Sequence, residues 1–302
     1  MNEHIDACKR LVHLLGEVAV REGFHPTAVE GVRVLRRSEP HPRNPIVYYP
    51  NIVIVGQGRK RAYLGDEVYT YDAFNYLVSS APIPAECEAE ATPEEPILMV
   101  AIDVEPAMIG ELILEMDEFS MPAGPTPRGL STTPMGKELA GAVIRLLECL
   151  KAPLDSHILG RQMVREIAYR VLLGEQSGSL RALASRDDHF ARVARAMKFI
   201  HVKHARPLTV EEMARCAGMS VPAFHHHFKL VTASSPLQYL KRIRLDRARR
   251  LMVHDGYNAS TAARAVGYES SSQFSREFKR LFGVTPVEEA SQARVRLVVE
   301  AS

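Results

Sequence analysis

Towards the C-terminal end, Phe274, Phe278, Leu281 and Phe282 fall at i, i+4, i+7 and i+8, which puts four large apolar side chains on one face of a helix. Ser271, Ser272, Ser275, Arg276 and Lys279 then face outward as a short polar and basic ridge. Just upstream, Ala262, Ala263 and Val266 give a shorter helix a small apolar face. Gly267 stands where the chain must leave that helix, because glycine accepts a positive φ without steric penalty. Ser270 is placed to cap the next helix through its hydroxyl. The pattern over about 258–282 therefore predicts a helix, a tight turn and a second helix. The same grammar appears at about 207–230. Thr209 caps a helix through Val210, Met213, Ala214 and Ala217, Gly218 ends it, and Ser220 caps VPAFHHHFKLV. There Phe224 and Phe228 face inward, His225, His226 and Lys229 face outward, and His227 packs at the edge. Between the two units, Leu237, Leu240, Ile243 (or Arg244), Leu245, Ala248 and Leu251 predict one helix of about five turns, roughly 25 Å long. Two small helices with a polar ridge on the second match a DNA-reading helix-turn-helix. A connecting helix of this length suits two such heads on successive major grooves, which repeat about every 34 Å.

The N-terminal half has a different texture. Residues 2–22 read as a helix with Ile5, Cys8 (or Lys9), Val12, Leu15 and Val18 (or Ala19) on one face. β-branched and aromatic residues then dominate, cut by Gly56, Gly58 and Gly65, and predict strands at about 46–56, 60–63, 67–70 and 74–79. Further strands are expected at 84–91 and 97–103, with Pro82, Pro84, Pro93 and Pro96 at edges or turns. Many short strands with frequent turns suggest a small β-barrel or jelly roll. A glycine- and proline-rich loop at 121–129 follows. Two helical stripes come next, Leu139, Ala140, Val143, Leu147 and Leu150, then Val164, Ile167 (or Ala168), Val171 and Leu172 after a break at Pro153 and Gly160. They either cover the barrel or pair with a second copy. A connection at 174–188 leads into the C-terminal helices.

The net charge of +2 over 302 residues conceals an asymmetry. Phe190–Thr285 holds 17 Lys and Arg against 6 Asp and Glu, whereas Ala62–Pro127 holds 14 Asp and Glu and no Lys or Arg. A basic segment joined to an acidic one points to nucleic acid at one end only. Four scattered cysteines without a CxxC pair fit free thiols in a reducing cytoplasm. The opening MNEHIDACKR has no signal-peptide pattern, and no apolar run approaches 18 residues, so no membrane span is expected.

The region from about Phe190 to Pro286, and above all AVGYESSSQFSREFKRLFGVTP, resembles the DNA-binding domain of the AraC/XylS family of bacterial transcription regulators. Tyr48–Glu111 likewise resembles a cupin-like N-terminal domain of AraC-type regulators, a class thought to sense small molecules. The resemblance implies an α+β chain in three parts. Residues 1–173 would form a cupin-like effector-binding and dimerisation domain, 174–188 a linker, and 189–302 an all-α domain with two helix-turn-helix units. It also implies double-stranded promoter DNA, a small-molecule effector and a second copy of the chain as partners, with RNA polymerase added for an activator, in the cytoplasm at the nucleoid. His225, His226, Lys229, Ser271, Ser272, Ser275, Arg276 and Lys279 are the expected DNA contacts. The first unit departs from the family pattern, which usually offers Arg, Gln or other long polar groups where this chain has His225 and His226.

Catalysis, metals and cofactors find little footing. Successive residues on a helix point about 100° apart, so His225, His226 and His227 cannot converge on one ion. His201 and His204 could share a face, but no further His or Cys lies near them in sequence. Between Asn44 and Gly141 there is no histidine, which argues against the His-ligated metal of a cupin enzyme. Glu86, Glu88 and Glu90 alternate onto one face of a strand, and a solvated outer face accounts for them. Tyr49, Tyr71 and Cys87 are the effector-site candidates, and an anionic effector would require Arg59, Lys60 or Arg61 to turn inward. The expectation is a non-enzymatic, effector-responsive DNA-binding regulator. Its alternatives are a cupin-like enzyme or ligand carrier, and an architectural DNA binder.

Overall fold

The computed structural model describes residues 2–73, 75–117, 129–174, 178, 180–181 and 189–291. Most of the stretch at 121–129, most of the connection at 174–188 and residues 292–302 lie outside the described residues, as do the side chains of Ile5 and Cys8. The chain divides into two compact units, one running to Ala191 and one from Arg192, with Asn44–Val47 grouped with the second.

In the first unit, helix α1 (Asn2–Val18) precedes strands β1 (Gly23–Pro26), β2 (Val32–Arg37), β3 (His41–Tyr48), β4 (Asn51–Gln57), β5 (Arg59–Leu64), β6 (Glu67–Asp72), β7 (Asn75–Ser79), β8 (Ile83–Glu90) and β9 (Ile97–Asp103). Helix α2 (Pro106–Asp117), strand β10 (Leu130–Pro134) and helices α3 (Lys137–Cys149) and α4 (Pro153–Leu172) complete it. The strands form two sheets rather than a closed barrel: six in the order β1-β2-β9-β4-β7-β10, and four in the order β3-β8-β5-β6. On one face of the larger sheet, Ile52, Ile54, Val78, Val100 and Ile102 pack with Leu11, Leu14 and Leu15 of α1, Ile109 and Leu112 of α2, Val143 and Leu147 of α3, and Ile167 and Val171 of α4. Val53, Val55, Met99 and Ala101 alternate with those residues and are also buried. Burial on both faces explains the unbroken apolar runs of β4 and β9. β5 of the smaller sheet alternates instead, with Ala62 and Leu64 buried.

Several expected elements are corrected. The single strand at 46–56 is two, β3 and β4, parted at Tyr49 and Pro50. Strands β1, β2 and β10 and helix α2 have no counterpart among the expected elements. The break expected at Pro153 is there, between α3 and α4, and Pro153 opens α4 within its first turn, where a missing N–H is harmless. Gly160, by contrast, does not break α4. It is buried in α4 because a Cβ there would lie 2.4 Å from Val29 Cγ2, so glycine allows a close crossing. In α1 the buried face is Leu11, Leu14 and Leu15, with Val12 and Val18 only half-buried at its margin. The stripes of α3 and α4 are buried in the core of their own unit, which makes covering the sheet their role.

The second unit is helical: α5 (His189–Lys203), α6 (Val210–Ala217), α7 (Val221–Thr232), α8 (Pro236–Val253), α9 (Ala259–Ala265) and α10 (Ser271–Phe282). Each short helix begins at a side-chain cap. Thr209 and Glu212 form a reciprocal capping box, Ser220 accepts from the Ala223 amide, Asn258 from Thr261 and Ser270 from Gln273. Gly218 ends α6 in the left-handed conformation at φ 65°. The 18 residues of α8 span about 27 Å. Its buried face is Tyr239, Leu240, Ile243, Leu245, Ala248 and Met252. Leu237, expected on that face, is 47% exposed, and Leu251 is half-buried. Phe228 meets Tyr239 edge-on at 5.2 Å on one half of α8, while Phe274, Phe278, Ala262, Ala263 and Val266 pack with Leu245, Ala248 and Met252 on the other.

The turn between α9 and α10 has little freedom. Gly267 holds φ 87°, and a Cβ there would meet the Ala205 carbonyl oxygen at 2.4 Å. Gly267→Ala should therefore destabilise the protein by about 2–4 kcal/mol, combining the left-handed penalty with backbone displacement. Gly256→Ala is the control: φ is 70° there but no atom lies within 4 Å, so only the conformational cost of about 1–2 kcal/mol applies. Urea denaturation followed by circular dichroism compares the two, and equal losses would mean that the Ala205 contact carries nothing.

Candidate nucleic-acid interface

Both second helices of the helix-turn-helix pairs present the polar side chains that their spacing predicts. On α7, His225, His226 and Lys229 are exposed and His227 is half-buried, its ring 5.1 Å from that of His226. On α10, Ser271, Ser272, Arg276 and Lys279 are exposed and Ser275 is half-buried. These side chains fall into two clusters, one on each helix. Phe224 and Phe228 anchor α7, and Phe274 and Phe278 anchor α10, all fully buried. Burying each phenylalanine contributes about 1.5–3 kcal/mol, which fixes the rotation of the helix and hence the direction of its ridge. Gln273 and Arg280 are also exposed on α10. Their spacing to Arg276, three and four residues, is the signal that identifies them.

Ion pairing separates the basic residues into two groups. Lys241 of α8 donates to Glu277 at 2.8 Å, Arg249 to Glu289 at 2.6 Å, Arg206 to Glu212 at 3.0 Å, and Arg250 lies 3.1 Å from Asp246. Among the described residues, Lys229, Arg276 and Lys279 have no such partner. Glu277 also accepts from Tyr268 Oη at 2.8 Å and from Gln273 Nε2 at 3.2 Å. Burial pushes the Glu277 carboxyl up, but the bonds from Lys241, Tyr268 and Gln273 outweigh it and leave the group below the usual carboxylate range. Glu277, next to Arg276 in sequence, is thus tied to Lys241 of α8 and remains ionised.

Two residues brace this arrangement. Ile243 and Arg244 were alternatives for the apolar face of α8, and the structure divides their roles. Ile243 is buried, whereas Arg244 donates to the carbonyls of His204 at 2.7 Å and Arg206 at 2.9 Å and lies 6.0 Å from the Tyr268 ring centroid. The guanidinium therefore closes two backbone acceptors beyond the end of α5 that no helix satisfies. His201 Nε2 lies 3.0 Å from Tyr239 Oη, and His204 Nδ1 lies 2.8 Å from the His201 carbonyl. The two histidines thus belong to the packing of α5 on α8.

In the first unit, Tyr71 and Cys87 come together, with Oη and Sγ 3.9 Å apart and both side chains buried. Tyr49 lies between β3 and β4 and is half-buried. Tyr48 stands beside Tyr71 instead, with hydroxyls 3.1 Å apart. Glu86, Glu88 and Glu90 face the other way, paired with Arg43 and Arg61. No helix among the described residues is long and apolar enough to cross a membrane.

Comparison with known proteins places these two units. The model of the AraC-type transcriptional regulator N-terminus matches residues 28–179, half of the chain, and a helix-turn-helix domain model matches residues 213–291. The chain belongs to the AraC-type transcriptional regulators. Among its AraC-type relatives, the HTH-type transcriptional activator RhaS of Klebsiella pneumoniae is 27% identical over 144 residues, 48% of this chain and 50% of RhaS. A putative AraC-like transcription regulator of Streptomyces antibioticus is 35% identical over 94 residues, 31% of each chain. The chain thus spans about half the length, or less, of these relatives. In solved structures, apo ToxT from Vibrio cholerae superposes with a TM-score of 0.59 at 12% identity, over 89% of this chain and 98% of ToxT. The unsaturated fatty acid-bound form of wild-type ToxT gives 0.57 at 12% identity, over 86% and 93%. At that identity the likeness is one of fold.

His201 should make the second unit sensitive to acid. Burial, then the charges of His204 and Arg250, push its imidazole down from the usual 6.5 to about 4. The unfolded chain takes up a proton near 6.5 and the folded chain does not, so this contribution is whole above pH 6.5 and is lost as pH falls to about 4. The loss should reach about 3 kcal/mol. Amide exchange in α5 and α8 between pH 7 and 4 measures it. His201→Gln, which keeps a partner for Tyr239, should flatten the slope, and an unchanged slope would assign the acid sensitivity to another group.

Proposed function

We propose that this AraC-type chain is a sequence-specific DNA-binding transcription regulator whose two reading helices, α7 and α10, enter successive major grooves. The observation that carries this reading is the pair of anchored helices whose basic residues have no ion-pair partner among the described residues: Lys229 on one, Arg276 and Lys279 on the other. Phosphate contacts by Lys and Arg supply affinity, and the two ridges read base edges. His225, His226, Lys229, Ser271, Ser272, Ser275, Arg276 and Lys279 are the proposed contacts. The domain division proposed is 1–173 for sensing and dimerisation, 174–188 for the linker and 189–302 for DNA.

The first unit would sense a small molecule and hold two copies of the chain together. An interior with polar groups, Tyr48, Tyr71 and Cys87, supports the sensing role. The fatty acid of the ToxT structure supports it by likeness of fold. For dimerisation, the stripes of α3 and α4 are already used within the unit. The outward face of α4 remains, where Leu154, Ile158 and Leu159 are exposed. RNA polymerase would be a further partner if the output is activation, and DNA binding sets the site of action in the cytoplasm. The matched relatives bear the names of transcriptional regulators, which supports a non-enzymatic role.

Arg276 tests the reading. A guanidinium on a helix in the major groove can grip guanine O6 and N7 together. Arg276→Ala should cost about 1–3 kcal/mol at the specific site and little on unrelated DNA, as read by competition gel shifts. Equal losses on both DNAs would make Arg276 a phosphate contact and remove it from base reading.

A further inference from the structure

Three basic residues stand together on β5, and they part company. Arg59 and Arg61 reach outward to acids: Arg59 lies 3.9 Å from Asp72 and 3.8 Å from Glu90, and Arg61 lies 2.6 Å from Glu90. Lys60 turns the other way, between the two sheets. Its Nζ lies 3.8 Å from Met99 Sδ of the larger sheet and 5.7 Å from the centroid of the Tyr71 ring. Among the described residues no carboxylate pairs with it. The groups facing it are Tyr71 of β6, Cys87 of β8, Met99 of β9 and, electrostatically, Arg37 of β2, with Tyr48 of β3 bonded to Tyr71. Burial, then the Arg37 charge, pushes the Lys60 amine down, while burial pushes both phenols well above their usual range. The phenols therefore stay protonated and able to donate.

An ammonium taken out of water without a counterion is costly, and the cost falls when an anion arrives beside it. A surface cleft lies at this end of the sheet. A cleft of about 750 Å³ is bordered by Pro42 of β3, Gly58, Arg59, and Ala89 of β8, and Ala89 is the residue paired across the sheet with Lys60. Glu90 and Glu95 stand on the same cleft wall. One interior amine can balance one negative charge, and the acids on the nearby surface disfavour polyanions. The surrounding Met99, Ala62, Ala85 and Ala89 are apolar or small and suit an apolar body.

We propose that the space between the two sheets is an effector site for a monocarboxylate with an apolar body, its carboxylate paired with Lys60 and receiving hydrogen bonds from Tyr48 and Tyr71. This deepens the sensing role proposed above and rests on it only for the step from binding to DNA. Lys60 is the anchor, and the two phenols set the orientation of the carboxylate.

The test uses the full chain and a panel of probes: benzoate, hexanoate and octanoate, their primary amides, and succinate. Isothermal titration is expected to show binding of at least one monocarboxylate, with its amide at least tenfold weaker and succinate weaker still. Lys60→Met, which fills the same space without the amine, should lose the preference for acid over amide while melting at or above the wild-type temperature. Tyr71→Phe should weaken the carboxylate several-fold and leave the amide nearly unchanged. Acid and amide binding alike, no probe binding at all, or Lys60→Met binding the acid as tightly as wild type would each overturn the site. A melting temperature lowered by Lys60→Met would also count against it, because it would make the amine a structural group. DNA titration with and without the bound acid is read separately. Carboxylate binding that leaves DNA affinity and promoter output unchanged upholds this site and overturns the sensing role.

Discussion

The second unit depends on one continuous helix serving two masters. Helices of 7 to 12 residues such as α7, α9 and α10 are too short to be stable by themselves. They persist because α8 offers each pair an apolar surface: Tyr239 beside Phe228 on one half, then Leu245, Ala248 and Met252 against Phe274 and Phe278 on the other. The same packing that stabilises the short helices fixes their rotation. A ridge of polar side chains then points outward because its opposite face has nowhere else to go.

Charge is distributed in the same spirit. Acids of the second unit sit beside bases that hold the helices together, as Glu277 does for Lys241 and Glu289 for Arg249. Surface pairs of this kind contribute at most about 1 kcal/mol each, so their larger consequence is to settle which bases keep their charge free. Lys229, Arg276 and Lys279, on the helices proposed to meet DNA, are among the bases left without an ion pair among the described residues. Glu277 shows the effect most clearly. Lys241 of α8, Tyr268 and Gln273 all donate to it, and a carboxylate next to Arg276 is kept from competing for the guanidinium.

In the first unit the governing fact is that the six-stranded sheet is buried twice. Helices cover one face and the four-stranded sheet covers the other, so the strands of the smaller sheet separate an interior from solvent. Lys60 and Cys87 then become interior groups by strand parity alone, while Arg59, Arg61 and the three glutamates of β8 become a solvated outer network.

Much of this was legible in the residues themselves. The caps Thr209, Ser220, Asn258 and Ser270, the stop at Gly218 and the phenylalanine spacing on α7 and α10 are local signals with local causes, and both helix-turn-helix units follow from them. Parity likewise set Cys87 inward and the acids of β8 outward. Only the tertiary structure decided the rest. Whether Gly160 breaks α4 or lets it cross Val29 depends on a neighbour 131 positions away. The apolar stripes of α3 and α4 read the same whether they face a sheet or a second chain, and only packing assigns them to the sheet. Ile243 and Arg244 both fit the stripe of α8, and the free carbonyls of His204 and Arg206 settle the matter. Lys60 is the sharpest case: its direction is set by the strand register, but its isolation from every described carboxylate exists only once two sheets have closed over it.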